Sequence, residues 1–162
     1  MDQFEFEKGR GQKIHSFFNE VEARLERLRK AVRSHRQRAE KSKGAGVSTK
    51  ALTDAAYRVG FDFGEDLKEE FKLGGSIEDV AVAMDLEHRV FSMKAKVAEK
   101  SDRRIAYHCR EYAWKKYLTP KLCIAIGQAE KGITQALNPR TQHRILQTRT
   151  MGKDRCIFEA QI

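Results

Sequence analysis

The spacing of apolar residues along this chain changes once, near Phe91, and that change constrains the fold more than any other feature. Before it, apolar residues recur every three or four positions, as helices require. After it, Phe91, Met93, Ala95 and Val97 alternate with Ser92, Lys94, Lys96 and Ala98, as a half-buried strand requires. Helices followed by strands predict an α+β fold: N-terminal helices, then an antiparallel sheet of about four strands with two inserted helices.

The first helical pattern runs from about Lys13 to Lys41. Its seam, Ile14, Phe18, Val21, Leu25, Leu28 and Val32, is too short for a coiled coil and suits docking on the body or on a second copy. Gly44 to Ser48 breaks it, dividing the chain into a helical extension, 1–46, and an α+β domain, 47–162. A second helix is expected over Lys50 to Lys72, with Leu52, Ala56, Val59, Phe63 and Leu67 inward and Gly74-Gly75 ending it. Gly60 and Gly64, four apart, would let another backbone approach closely. Ser76 and Asp79 form a capping box for a third helix through Ile77, Val80, Ala81, Met84 and Leu86, fading near His88.

Beyond the first strand, Lys100-Ser101-Asp102 supplies a turn and Arg104 to Cys109 a returning strand. A short helix is expected through Tyr112, Trp114 and Tyr117, and another from Pro120 through Ala136, stopped by Asn138-Pro139. Two closing strands, Arg144 to Thr150 and Cys156 to Ile162, flank a turn at Gly152-Lys153-Asp154.

Composition limits the function classes. At 162 residues with 40% hydrophobic residues the chain can bury a core of its own. No apolar run approaches the ~18 residues of a membrane span, and the acidic first twenty residues do not read as a secretion signal, so a cytoplasmic protein is expected. The net charge is +9, concentrated between Arg24 and Lys43. That stretch reads as a solvated helix face; a nucleic-acid arm would normally add aromatic or base-reading residues, which it lacks.

No phosphate-binding loop, dinucleotide fingerprint, HExxH or paired CxxC is present. The residues left to carry chemistry are Cys109, Cys123 and Cys156, with His108 and His143. Cys123 falls in the first turn of the Pro120 helix, where backbone N–H groups favour a thiolate. His108 and Cys109 are adjacent on a strand and point to opposite faces, which leaves His143 as the freer histidine. Zinc would need three or four ligands drawn from the cysteines and one histidine; the expected cofactor is either none or zinc.

The closing run, from His108 to Ile162, resembles the L-2-amino-thiazoline-4-carboxylic acid hydrolase family, with Cys109, Cys123, Pro139, Gly152, Cys156 and Phe158 at the matching places. It is more distantly similar to vinyl-reductase type ligand-binding domains through the terminal Gly-to-Cys-x-Phe strand. The resemblance implies hydrolytic opening of a small cyclic C–N substrate that carries a carboxylate. Cys109 or Cys123 would be the nucleophile, His143 the proton carrier, Arg144 or Arg149 the carboxylate clamp, and Trp114 and Cys156 part of the binding wall. The chain departs from the family at Ile126-Gly127-Gln128, where an acid is usual, and at Lys153, where an acid follows the turn glycine. The alternative is a non-catalytic sensor or accessory protein of the same fold that holds a small ligand or a metal, with a possible homo-oligomer through the N-terminal helix.

Overall fold

The computed structural model describes residues 49–112 and 118–162, all within one compact unit, Ser48–Ile162. The Ile14–Val32 seam, the basic stretch and Trp114 lie outside the described residues. The order is α1 (Thr49–Phe71), α2 (Ile77–Val90), β1 (Met93–Lys100), β2 (Arg104–Tyr112), α3 (Pro120–Ile126), α4 (Gln128–Leu137), β3 (Gln142–Gln147), a 3₁₀ turn (Arg149–Met151) and β4 (Cys156–Gln161). The four strands form one antiparallel sheet in the order β1-β2-β4-β3. The fold is α+β, with helices ahead of the sheet and a helix pair inserted in it. Among the described residues no helix is long and apolar enough to cross a membrane.

Local chemistry sets the boundaries. Ser76 accepts from the Asp79 backbone N–H while Asp79 caps Ser76 in return, so α2 starts with both halves of its capping box. Thr119 caps α3, with Pro120 in its first turn, where a missing N–H costs nothing. The single helix expected from Pro120 to Ala136 is in fact two, hinged at Gly127, where an added Cβ would overlap the Ile145 side chain. The expected helix through Tyr112 begins instead as strand: β2 runs on to Tyr112. α1 ends at Phe71, before the glycine pair, with Lys72 taking the left-handed conformation at φ 54°.

One face of the sheet is covered by α2 and α4, and α1 packs on α4 and α3 from the far side. α4 is therefore central, and Ala129, Glu130, Gly132, Ile133, Thr134, Ala136 and Leu137 are all buried. Leu67, Ile77, Val80, Met84, Ile105 and Ile133 fill the space between the layers. The inward line of α1 is Ala56, Gly60, Gly64 and Leu67, whereas Val59, expected inside, is 43% exposed. The glycines explain the difference. A Cβ on Gly60 would overlap the Ala129 carbonyl, and one on Gly132 the Tyr57 carbonyl, so α1 and α4 meet backbone to backbone.

Candidate functional site

Four ionisable side chains are buried together beneath the sheet. Glu87 and His88 come from the last turn of α2, Glu130 from the first turn of α4, and His143 from the start of β3. They arrive there by ordinary packing geometry. On α2 the inward stripe Ile77, Val80, Met84 continues at three- and four-residue spacing to Glu87 and His88. On α4, Glu130 stands three residues before buried Ile133 and four before buried Thr134. On β3, His143 pairs with buried Ala160 across the sheet.

Glu87, His88 and Glu130 each bring one ligand-type atom to within 4.8 Å of the others. His143 Nε2 stands 2.9 Å from Glu130 Oε2, and His88 Nε2 stands 3.6 Å from Glu87 Oε2. All four side chains are at most 6% exposed. None of these four atoms completes a hydrogen bond; the His143–Glu130 pair is close but not aligned for one. Burial, reinforced by the nearby Glu130 charge, raises the Glu87 carboxyl well above its ordinary range. Burial lowers the His88 imidazole, against the pull of Glu130 and Asp85, toward the neutral ring. The His88 ring meets Tyr107 edge-on at 4.9 Å, and the Tyr107 hydroxyl donates to the Ala81 carbonyl at 3.1 Å.

The sulfurs lie farther along the same sheet face. Cys109 and Cys156 are register partners on β2 and β4, both fully buried. The pairing of β2 with β1 skips Arg110, a bulge that turns Tyr112 to the same side as Cys109. The Tyr112 hydroxyl then lies 4.0 Å from Cys123 Sγ on α3 and also interacts with Cys156. Cys109 donates to the Glu111 carbonyl at 3.2 Å, and Cys156 accepts from the Arg149 N–H at 3.3 Å. Burial pushes the Cys109 thiol up to about 12 and raises Cys156 as well. Such thiols are protonated and packed, the reverse of an activated nucleophile.

The residues singled out in the sequence thus divide. Tyr112 links Cys123 and Cys156, Cys109 is the register partner of Cys156, and His143 shares their sheet face but stands against Glu130. Arg144 is exposed and donates to Gln142 on its own strand, away from the sulfurs. Arg149 donates to the Arg110 carbonyl, closing the bulge. Within reach of a single ion the described residues place Glu87, His88 and Glu130, a group that contains none of the cysteines. The apolar pattern of α2 fades at Glu87 and His88 although the stripe spacing carries through them, and Glu130 interrupts the apolar pattern of α4 in the same way, so hydrophobicity alone does not mark these three.

No family model matches the chain, and no curated protein matches it. The hydrolase resemblance therefore stands on the closing segment alone. Among solved structures, the chain is similar to the phenol-responsive sensory domain of the transcription activator PoxR, solved with phenol. The TM-score is 0.61 at 12% identity, covering 80% of this chain and 73% of that one. It is also similar to trafficking protein particle complex subunit 3 from Naegleria fowleri, covalently bound to palmitic acid. There the TM-score is 0.54 at 11% identity, covering 81% of this chain and 92% of that one. At these identities the likeness is one of fold.

Proposed function

We propose that this chain is a small-ligand-binding domain of the sensory or accessory kind, and that it does not act as a thiol hydrolase. The observation that carries the reading is the set of four buried polar atoms on Glu87, His88, Glu130 and His143 that complete no hydrogen bond within the protein. Buried polar groups are nearly always satisfied, so a cluster left open is a place for a bound polar group. The fold supports the same reading, since it is similar to a domain solved with phenol and to a subunit carrying palmitic acid. The hydrolase reading asks for an ionised cysteine beside a base, and two of the three thiols are sealed and raised instead.

In this reading a small molecule places its apolar body against Tyr107 and Phe158 and its polar group toward His88. His88 is 4.9 Å from the Tyr107 ring and 6.2 Å from the Phe158 ring. Thermal shift with phenol, a short-chain carboxylic acid and palmitic acid as separate probes tests it. One probe class should raise Tm saturably, by the mass-action stabilisation expected of a ligand bound only to the folded state. The shift should vanish in His88→Ala and persist in Cys123→Ala. Flat melting curves with all three probes would end this reading, as would a shift abolished by Cys123→Ala alone.

A further inference from the structure

We propose that Glu87, His88 and Glu130 together bind a divalent transition-metal ion, with His143 orienting the Glu130 carboxylate. This goes beyond the organic-ligand reading, which needs no ion, although both use the same buried groups.

Three observations converge on it. The first is geometric. Ions of this kind hold nitrogen and oxygen ligands at about 2.0–2.2 Å, so donors around one ion stand up to about 4 Å apart. The three atoms already lie within 4.8 Å of one another, and small side-chain movements close the set. The second is that Glu87 Oε2, His88 Nε2 and Glu130 Oε2 are sealed from water without hydrogen-bond partners. Lone pairs left in that condition cost free energy unless something electropositive faces them.

The third is charge. Two carboxyl groups, from Glu87 and Glu130, meet in a site lined by Tyr107, Phe158 and the apolar residues of α2 and α4. A divalent ion would balance both groups as carboxylates, and His88 offers its buried, unpartnered Nε2 as the nitrogen donor. Glu130 then has His143 behind it at 2.9 Å, the arrangement by which an outer histidine fixes a ligating carboxylate. Mixed imidazole and carboxylate donors without sulfur suit zinc, iron(II) or manganese(II) better than copper(I) or an iron–sulfur cluster. Three protein ligands also leave a coordination position open for water or a small anion.

The test uses the full chain, stripped with chelator and titrated with zinc(II) and cobalt(II) by calorimetry and absorption. One equivalent should bind, and the cobalt form should show d–d bands without an intense thiolate-to-metal band. Glu87→Gln and Glu130→Gln, which keep side-chain shape, should each weaken binding by more than about a hundredfold. His143→Ala should weaken it roughly ten- to a hundredfold, as the loss of an outer-shell partner does. Cys123→Ala should leave it unchanged. Failure of the stripped protein to bind zinc, cobalt or manganese would overturn the proposal. So would a strong thiolate band, or unchanged affinity in both glutamine variants. Should a variant not fold, the cobalt spectrum of the unaltered chain decides alone. The phenol, carboxylate and palmitate shifts repeated on metal-free protein keep the two readings apart: a persisting shift without metal binding removes the ion only, and metal binding without any shift removes the organic ligand only.

Discussion

At the end of the sheet where Cys109 faces Cys156, each buried thiol has a backbone partner within 3.3 Å. A few residues away on the same face, Glu87, His88, Glu130 and His143 are as deeply buried and complete no hydrogen bond at the atoms that meet. The contrast separates two kinds of interior polarity. Sulfur is soft, small and cheap to bury, and its contacts here close locally, as packing alone would arrange them. Ionisable oxygen and nitrogen are costly to bury, and the proposed ligand or ion would supply the interaction that these atoms lack within the chain. The place to look for function is the expensive end, although the cysteines are what catch the eye in the sequence.

The comparison can be broken most sharply by thiol chemistry. In native protein at pH 8, iodoacetamide should modify half-buried Cys123 and leave Cys109 unmodified. A thiol held at about 12 carries roughly a thousandfold less thiolate there than an ordinary one. The rate at Cys109, followed by peptide mass spectrometry, should climb about tenfold per pH unit. Linkage gives the matching sign for stability. With its folded value raised, the Cys109 thiol contributes fully below the unfolded value near 8.5, and the contribution is lost as pH rises toward about 12. Rapid modification of Cys109 at pH 7 would mean that the sulfur end is a reactive site after all.

Next in size is Tyr107, which joins the two ends. Tyr107→Ala removes the ring packed against His88 and the hydrogen bond to Ala81, and should cost about 3–5 kcal/mol in urea unfolding. A cost below about 1 kcal/mol would mean that the cluster is loosely held and open to water. The smallest effect carries a sign. Cys156→Ala should destabilise by about 1 kcal/mol through lost packing, whereas Glu87→Gln should stabilise the metal-free protein at neutral pH by a few degrees in Tm. Equal signs for the two changes would erase the distinction between a packed end and an open one.

Much of the fold was legible because local rules and tertiary packing agree in it. The capping box at Ser76, the alternation after Phe91, the Pro120 start and the Asn138-Pro139 stop all stand where the sequence put them. Misreadings came where one strong local signal competed with a contact from elsewhere. The Pro120 helix divides at Gly127, whose missing side chain leaves room for the end of Ile145. Gly60 replaces Val59 on the inward line because α4 comes too close for a side chain. The candidate site was legible in one part of four. Strand alternation sets His108 aside and leaves His143 as the candidate histidine, but Glu87, His88 and Glu130 continue apolar stripes as charged residues, and a hydrophobicity pattern reads a charge as the end of a buried face. Their burial follows from helix spacing, whereas their meeting depends on how α2, α4 and β3 converge, which spacing along one chain does not encode.

The backbone-to-backbone meeting of α1 and α4 has a mechanical consequence. Side chains between two helices act as a cushion that can change rotamer and absorb a displacement; at Gly60 and Gly132 there is none. Glu130 lies two residues before Gly132, so a pull by the proposed ligand on that carboxylate would reach this close contact directly. Thr49, at the near end of α1, lies about 16 Å along the helix from Gly60, and it would be carried with any tilt of α4.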